Sequence, residues 1–401
     1  MSHDDGDTGE GNALNISLGK GISRRDVMRQ LGATSAVGAL GGMAGCSAIQ
    51  RGGGGGGSDE AQGEGEGGSG GKGQVPSYKL VQLQAPPTEL NFTREPPERS
   101  ITMVTHDATT SFFDPTIAGL HDAAKQLGWK ANFTGPTSGF SVETQVDLIE
   151  NAIDAGPDLI ATTVVDPSAY DKAINRALEN DIPVITYNTL ALGNDEMRDK
   201  YGQALAYVGQ DNYAAGYVCG LAAIERMPDD ASTLSVGMSD PGHSALSARA
   251  DGIELAFKLN TDMDITNRIN YTGDSNEGIS RIENHITGNK DVDVILGTDA
   301  FTWFIGNALQ NQNAVGDIMG GGFDLTPDTI KHVQNDVLAF TIGQDPYNQG
   351  YNTAKQAFTY LDRGMPPKDF LTGAEIIDSS NIDTAAKRSS QWGDLREYLG
   401  A

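Results

Sequence analysis

Cysteine is scarce in this chain: two occur among 401 residues, Cys46 and Cys219. That excludes a disulfide framework. Cys219 sits in a run of small residues, 214–221, and reads as a small buried hydrophobe. Basic residues are few, with 28 Lys and Arg against 54 Asp and Glu and a net charge of -26. No basic patch results, so nucleic acid is excluded as a partner. His3, His106, His121, His243, His285 and His332 show no metal-ligand spacing, so no metal and no cofactor is expected. Long apolar runs are missing as well. The early stretch 31–45 is mostly Gly, Ala and Ser and falls short of the roughly 20 residues a bilayer span needs.

The chain begins with a three-part address instead. Arg24 and Arg25 precede that weakly apolar stretch, which is the pattern of a Tat export signal. Met43-Ala44-Gly45-Cys46 closes it as a lipobox, with Met43 where Leu is usual. The expectation is a protein exported in folded form. It is held by a lipid on Cys46 at the outer face of the cytoplasmic membrane, and so works outside the cell.

Residues 47–99 cannot build a core. Gly52 to Gly57 is unbroken glycine, and 58–73 is Gly with scattered Asp, Glu and Ser. Such a segment buries too little apolar surface to offset its ordering entropy. Pro86-Pro87 and Pro96-Pro97 stiffen its far end. It reads as a flexible acidic tether. The acidic, Lys-poor composition suits strong brine, because the Debye length at 1 M salt is about 3 Å and carboxylate repulsion is screened. A halophilic archaeal source is expected.

From Ile101 onward, short apolar runs alternate with amphipathic stretches. Strands are expected at 101–105, 159–163, 183–187, 234–237, 268–271, 292–297, 318–322 and 338–342. Helices are expected at 116–127, 142–155, 170–180, 213–226, 244–259, 278–286, 302–312 and 347–361. The alternation implies an α/β fold with doubly wound parallel sheets. That many strands in about 300 residues favours two lobes over one core.

Ligands of open α/β sheets sit beyond the carboxyl ends of the strands. Those ends carry His106, Phe112 and Phe113, then Asp166, Asn188, Thr298, Asp299, Asp324 and Gln344, with Arg249 on a helix. Aromatic faces beside groups that accept and donate hydrogen bonds suit a polyhydroxylated ligand. Taken singly, each polar residue also reads as a cap or loop residue, Asp166 before Pro167-Ser168 above all.

In order and spacing these segments resemble the periplasmic sugar-binding proteins of ABC importers, the ribose-binding-like type I group. The resemblance covers about 101–380. Ser111-Phe112-Phe113-Asp114 is similar to the loop whose aromatics sandwich the sugar. The stretch 182–189 resembles the fourth-strand motif, with Asn188-Thr189 where the family often has Asp-Arg. Arg249-Ala250-Asp251-Gly252 resembles its Arg-x-x-Gly helix, Thr298-Asp299 its hydroxyl-reading strand end, and Gly322-Phe323-Asp324 its Gly-Phe-Asp motif. Gln344 stands in the hinge-proximal motif. The aromatic that family members supply from the second lobe falls near Gly273.

The resemblance implies two lobes joined by a three-crossing hinge. Crossings are expected near 208–212, 343–345 and 372–375. The first lobe would comprise 100–209 with 345–373, the second 210–344 with 374–385, and 386–401 would form a tail. It also implies a monomer that binds a sugar or polyol, closes, and docks on an ABC permease, without covalent chemistry. Three other readings compete. A transcriptional regulator of this fold would carry a helix-turn-helix where the address stands. A secreted sugar-acting enzyme could use Asp299 and Asp324 as acid and base. A receptor for a nucleoside or signalling ligand would use extra aromatics, for which Phe301 and Trp303 are available, although they equally suit helix packing.

Overall fold

Runs such as Leu159-Ile160-Ala161-Thr162 are buried on both faces, which only the interior of a helix-covered sheet allows. In the computed structural model, which describes residues 96–166, 168–190 and 206–391, such runs form two sheets. The first is six-stranded, in the order β12 (Phe370–Leu371), β5 (Tyr207–Gly209), β4 (Val184–Tyr187), β3 (Leu159–Thr162), β1 (Ser100–Val104) and β2 (Lys130–Thr134). All its pairings are parallel. The second is seven-stranded, running β13 (Glu375–Asp378), β11 (Phe340–Gly343), β10 (Met319–Phe323), β9 (Val294–Gly297), β6 (Thr233–Met238) and β7 (Asp264–Ile265). Its β8 (Ile269–Asn270) pairs with β6, and β13 is antiparallel to β11.

Each sheet has helices on both faces. Ile101, Met103, Leu159 and Ala161 point into one core, while Val104, Ile160 and Val184 point into the opposite one, as a period of two demands. The second sheet repeats this with Leu234, Val236 and Phe340 on one face and Ile295, Leu338 and Ile377 on the other. Helix ends are chemically specified. Ser141 caps Val142–Ala155 by accepting from the Thr144 N–H, and Gly156 closes that helix in the left-handed conformation (φ 65°).

Two helices of the first lobe cross almost backbone to backbone. A Cβ on Gly119 would meet the Tyr347 carbonyl oxygen at 2.0 Å, and one on Gly350 would meet that of Thr116 at 2.0 Å. Glycine is what lets Asp114–Leu127 and Pro346–Arg363 lie this close. Between lobes the chain passes three times: from β5 into the helix Asn212–Arg226, from β11 into Pro346–Arg363, and from β12 to β13.

The structure adds elements to those expected. Strand β2 is a partly exposed edge with mixed polarity, so its apolar signal is weak. Strands β5 and β12 are only three and two residues long. The helices Pro327–Gln334 and Ile382–Ser390 carry many polar residues. The last of these corrects the expected tail. Residues 386–390 continue a helix whose Ile382 and Ala385 are buried with Ile377 and Val333, so the second lobe runs past 385. Residues 1–95, including Arg24, Arg25, Cys46 and the tether up to that point, lie outside the described residues, as do 392–401. No described helix is long and apolar enough to cross a membrane.

Candidate ligand-binding site

A cavity of about 590 Å³ lies between the two sheets, beyond the carboxyl ends of their strands. His106 reaches it just past β1, Asn188 directly past β4, Asp299 past β9, Asp324 directly past β10, and Gln344 directly past β11. Asn188 and Asp324 sit in the left-handed region, with φ of 58° and 74°. Asn and Asp tolerate that conformation better than other residues with a Cβ. The strained turn redirects each side chain from the sheet into the cavity.

A chain of amides and carboxylates joins the lobes through the middle crossing. Asn188 Nδ2 donates to Gln344 Oε1 at 3.4 Å and to Gln349 Oε1 at 3.2 Å, and Gln344 Nε2 donates to Asp324 Oδ1 at 2.6 Å. Burial pushes the Asp324 carboxyl up to about 6, against the pull of Arg249 and the Gln344 hydrogen bond. Asp299 is held by three donors: Tyr271 OH at 2.7 Å, the Ser239 N–H at 2.8 Å and the Phe301 N–H at 3.0 Å. Burial raises its pKa, and those donors oppose the rise.

Arg249 is buried on the helix Ser244–Asn260, its guanidinium 4.4 Å from the Phe323 ring centre. One NH1 hydrogen goes to the Thr298 carbonyl at 2.9 Å, and Nε has no partner. Burial lowers its pKa, while Asp324, Tyr207 and Asp299 favour the charge. The site therefore offers a positive donor beside two carboxylate acceptors, flanked by aromatic rings.

Eight of the ten sequence-derived ligand residues line this cavity: His106, Phe112, Phe113, Asn188, Arg249, Asp299, Asp324 and Gln344. Phe113 does so with a ring only 1 % exposed, packed against Phe133 and Tyr187, whereas Phe112 stands half-buried at its edge. Asp166 and Thr298 are not brought to the cavity. Asp166 accepts from the Ser168 and Ala169 N–H groups, both at 2.8 Å, and serves as a turn cap. Thr298 is fully buried, and its hydroxyl donates to the Gly237 carbonyl at 3.2 Å.

Sequence reasoning missed Phe140 and His243 as lining residues. Neither sits directly at a strand end, so no motif position flagged them. Of the two aromatics after Asp299, Phe301 lines the cavity, whereas Trp303 packs edge-on against Phe304. The lobes also touch away from the crossings. The Ser244 N–H donates to the Val165 carbonyl at 3.0 Å, and the His106 and His243 rings meet at 5.3 Å. Among the described residues no group of three His, Cys, Asp or Glu could hold a metal.

Two parallel-sheet lobes, three connections and a polar cleft with aromatic walls define a two-lobed solute receptor. The chain belongs to the periplasmic binding protein domain family, whose pattern matches residues 101–365. It is 31% identical over 314 residues to the xylose/arabinose-binding protein XylF of Sulfolobus acidocaldarius, covering 76% of this chain and 77% of that one. It is 24% identical over 248 residues to the ribose import binding protein RbsB of Escherichia coli, covering 62% and 79%. Its fold is similar to that of a solute-binding protein from Agrobacterium vitis solved with α-D-tagatopyranose. The TM-score is 0.66 at 22% identity, covering 72% of this chain and 98% of that one.

Proposed function

We propose that this protein is the extracellular solute-binding component of an ABC importer, taking a neutral monosaccharide or polyol, pentoses foremost. The observation that carries this reading is the Asn188–Gln344–Asp324 chain. It joins both lobes in the cavity wall, beside the Arg249 donor and the Phe112 ring. Hydroxyls of a sugar are matched by such groups, and each buried polar atom left unmatched costs about 1–3 kcal/mol, which penalises ligands lacking a hydroxyl. The likeness to a xylose/arabinose-binding protein supports the pentose choice. Solute bound to one lobe draws in the other, and the closed form is what a permease would recognise. No reaction is required of Asp299 or Asp324, which serve as hydrogen-bond acceptors beside Arg249.

The lobe limits follow the three crossings, with 100–209 and 345–373 moving against the rest. Export by Arg24-Arg25, lipidation at Cys46, the tether, the monomeric state and a brine habitat belong to the same proposal. Cys46→Ser would release the protein from the membrane fraction if the anchor is correct.

The deciding experiment is a thermal-shift screen of residues 75–401 in about 2 M KCl, where charge repulsion is screened. Xylose, arabinose, ribose, myo-inositol and adenosine would be the probes. A pentose at a hundred-fold excess over its Kd should add about 2.7 kcal/mol of stability. A response to adenosine alone would retain the receptor and change its cargo. Silence from folded protein would sink the binding role.

A further inference from the structure

His106 and His243 come from opposite lobes and meet across the mouth of the cavity. The two rings are edge to face at 5.3 Å, an arrangement two neutral rings favour. Phe140 covers both, with ring centres 5.8 Å from His106 and 6.0 Å from His243, and Phe113 packs on the other side of His106 at 5.4 Å. Together with the bond from Ser244 to Val165, this cluster joins the lobes away from the hinge.

We propose that His106 and His243 form a proton-sensitive latch, so that the closed, solute-holding state persists at neutral pH and opens on acidification. The idea rests on the solute-receptor reading above.

Around His243 the groups that oppose a positive charge outweigh the one that favours it, a hydrogen bond to its own backbone. It occupies the N-cap position of the helix Ser244–Asn260, where unpaired N–H groups repel a cation. Arg249 lies further along the same helix and repels it too. His106 faces it from the first lobe. The carboxylate nearest in sequence, Asp240, accepts from the Gly242 N–H instead. His243 Nδ1 has no hydrogen-bond partner although the residue is only 8 % exposed. With the lobes together no side chain of either lobe pairs with this nitrogen, so a proton on the ring gains no ionic partner there.

His106 is better served but no more tolerant of charge. Its Nδ1 shares a hydrogen bond with Thr163 Oγ1 at 3.0 Å, which also accepts from Gln145 Nε2 at 2.9 Å. Asp107 is the carboxylate acting on it, and its Oδ1 is engaged by Thr109 N–H and hydroxyl. Burial pulls its pKa from 6.5 down to about 4 despite Asp107, and burial also holds that of His243 well below its ordinary value.

The sign follows directly. Opening removes the cover each ring receives from the other lobe and moves its pKa back towards the ordinary value, whereas the closed form resists the proton. Closure is thus fully supported above about pH 6.5 and loses support as pH falls from there towards 4.

The test measures the Kd for xylose and arabinose at about pH 7.5 and about pH 5, and takes each variant's own ratio. The wild type should weaken about tenfold or more. Asp324 also titrates in this window, so the comparison of variants isolates the latch. His243→Phe keeps the ring contact and cannot take a proton. Its ratio should shrink by at least about threefold, and that of His243→Gln should shrink likewise even where Phe disturbs folding. In parallel, the imidazole C–H shifts should show xylose lowering the pKa of both histidines. Ratios equal to the wild type's in both variants, or imidazole titrations that xylose leaves unmoved, would overturn the latch and leave the receptor intact. No pentose binding by folded wild type at about pH 7.5 would overturn both.

Discussion

Gly216 stands so close to the backbone of Arg249 that a Cβ there would meet the Arg249 carbonyl oxygen at 2.1 Å. A Cβ on Gly252 would meet the Tyr213 carbonyl at 2.2 Å, so the second lobe uses the same reciprocal glycine crossing as Gly119 and Gly350 in the first. This crossing sets the depth at which the Arg249 side chain enters the cavity. Gly216→Ala should force the two helices apart, costing about 2 kcal/mol or more and weakening sugar binding together with stability. Gly288→Ala, where an added Cβ meets nothing within 4 Å, should leave the melting temperature nearly unchanged or raise it. Thermal melts and xylose titrations of the two variants check this. Equal melting temperatures would refute it.

Asp324 carries a cost that binding exploits. Its carboxyl is raised to about 6 by burial, so keeping it ionised at neutral pH costs the fold free energy. A raised acid stabilises the fold below its unfolded value of 3.8, and that contribution is lost as pH rises through about 6. Asp324→Asn keeps an oxygen for Gln344 and tolerates the left-handed turn. It should stabilise the ligand-free protein at about pH 7.5 by up to about 3 kcal/mol, with the gain vanishing towards pH 4, while sugar affinity collapses. Denaturant titrations across pH would show the trend, and a destabilised Asn variant at neutral pH would contradict it.

Phe301 supplies the second lobe with an aromatic wall that the motif position, Gly273, lacks. An added Cβ on Gly273 would lie 3.6 Å from the Phe301 ring, so the ring leans over that bare backbone. It is stacked on Phe304 with centres 5.1 Å apart, and its N–H is held by Asp299. Phe301→Ala should weaken sugar binding about three- to tenfold through loss of a stacking face. Calorimetry on pentoses would measure this, and unchanged affinity would remove Phe301 from the site.

Thr298 tests the opposite case. Its buried hydroxyl donates to Gly237, and the residue does not line the cavity. Thr298→Val should cost about 1 kcal/mol of stability and leave the Kd for xylose alone. A changed Kd with an unchanged melting point would return Thr298 to the binding set.

The two-lobed architecture was legible because each central strand is an uninterrupted apolar run and each covering helix keeps its period. Edge strands were not, because β2 and β12 face water and need no such run. Strand ends pointed to Asn188, Asp324 and Gln344 since topology places the cleft there. His243 and Phe140 escaped because they sit in loops just before helices, away from the strand ends, where no periodic signal marks a cavity residue. Asp166 was misplaced for a local reason: an Asp before Pro-Ser satisfies its own turn first.

The three passages between lobes set an order of assembly. The face of the helix Asp114–Leu127 that carries Gly119 is covered by Pro346–Arg363, and Ala354 and Ala357 complete the core around Leu120 and Ala124. A ribosome makes every strand of the second sheet from β6 to β11 before that cover exists. The first lobe therefore waits, half-clothed, until the second sheet's central strands have been made. A nascent chain stalled before Pro346 exposes an apolar helix face to any chaperone or neighbour, and only synthesis through Arg363 can hide it.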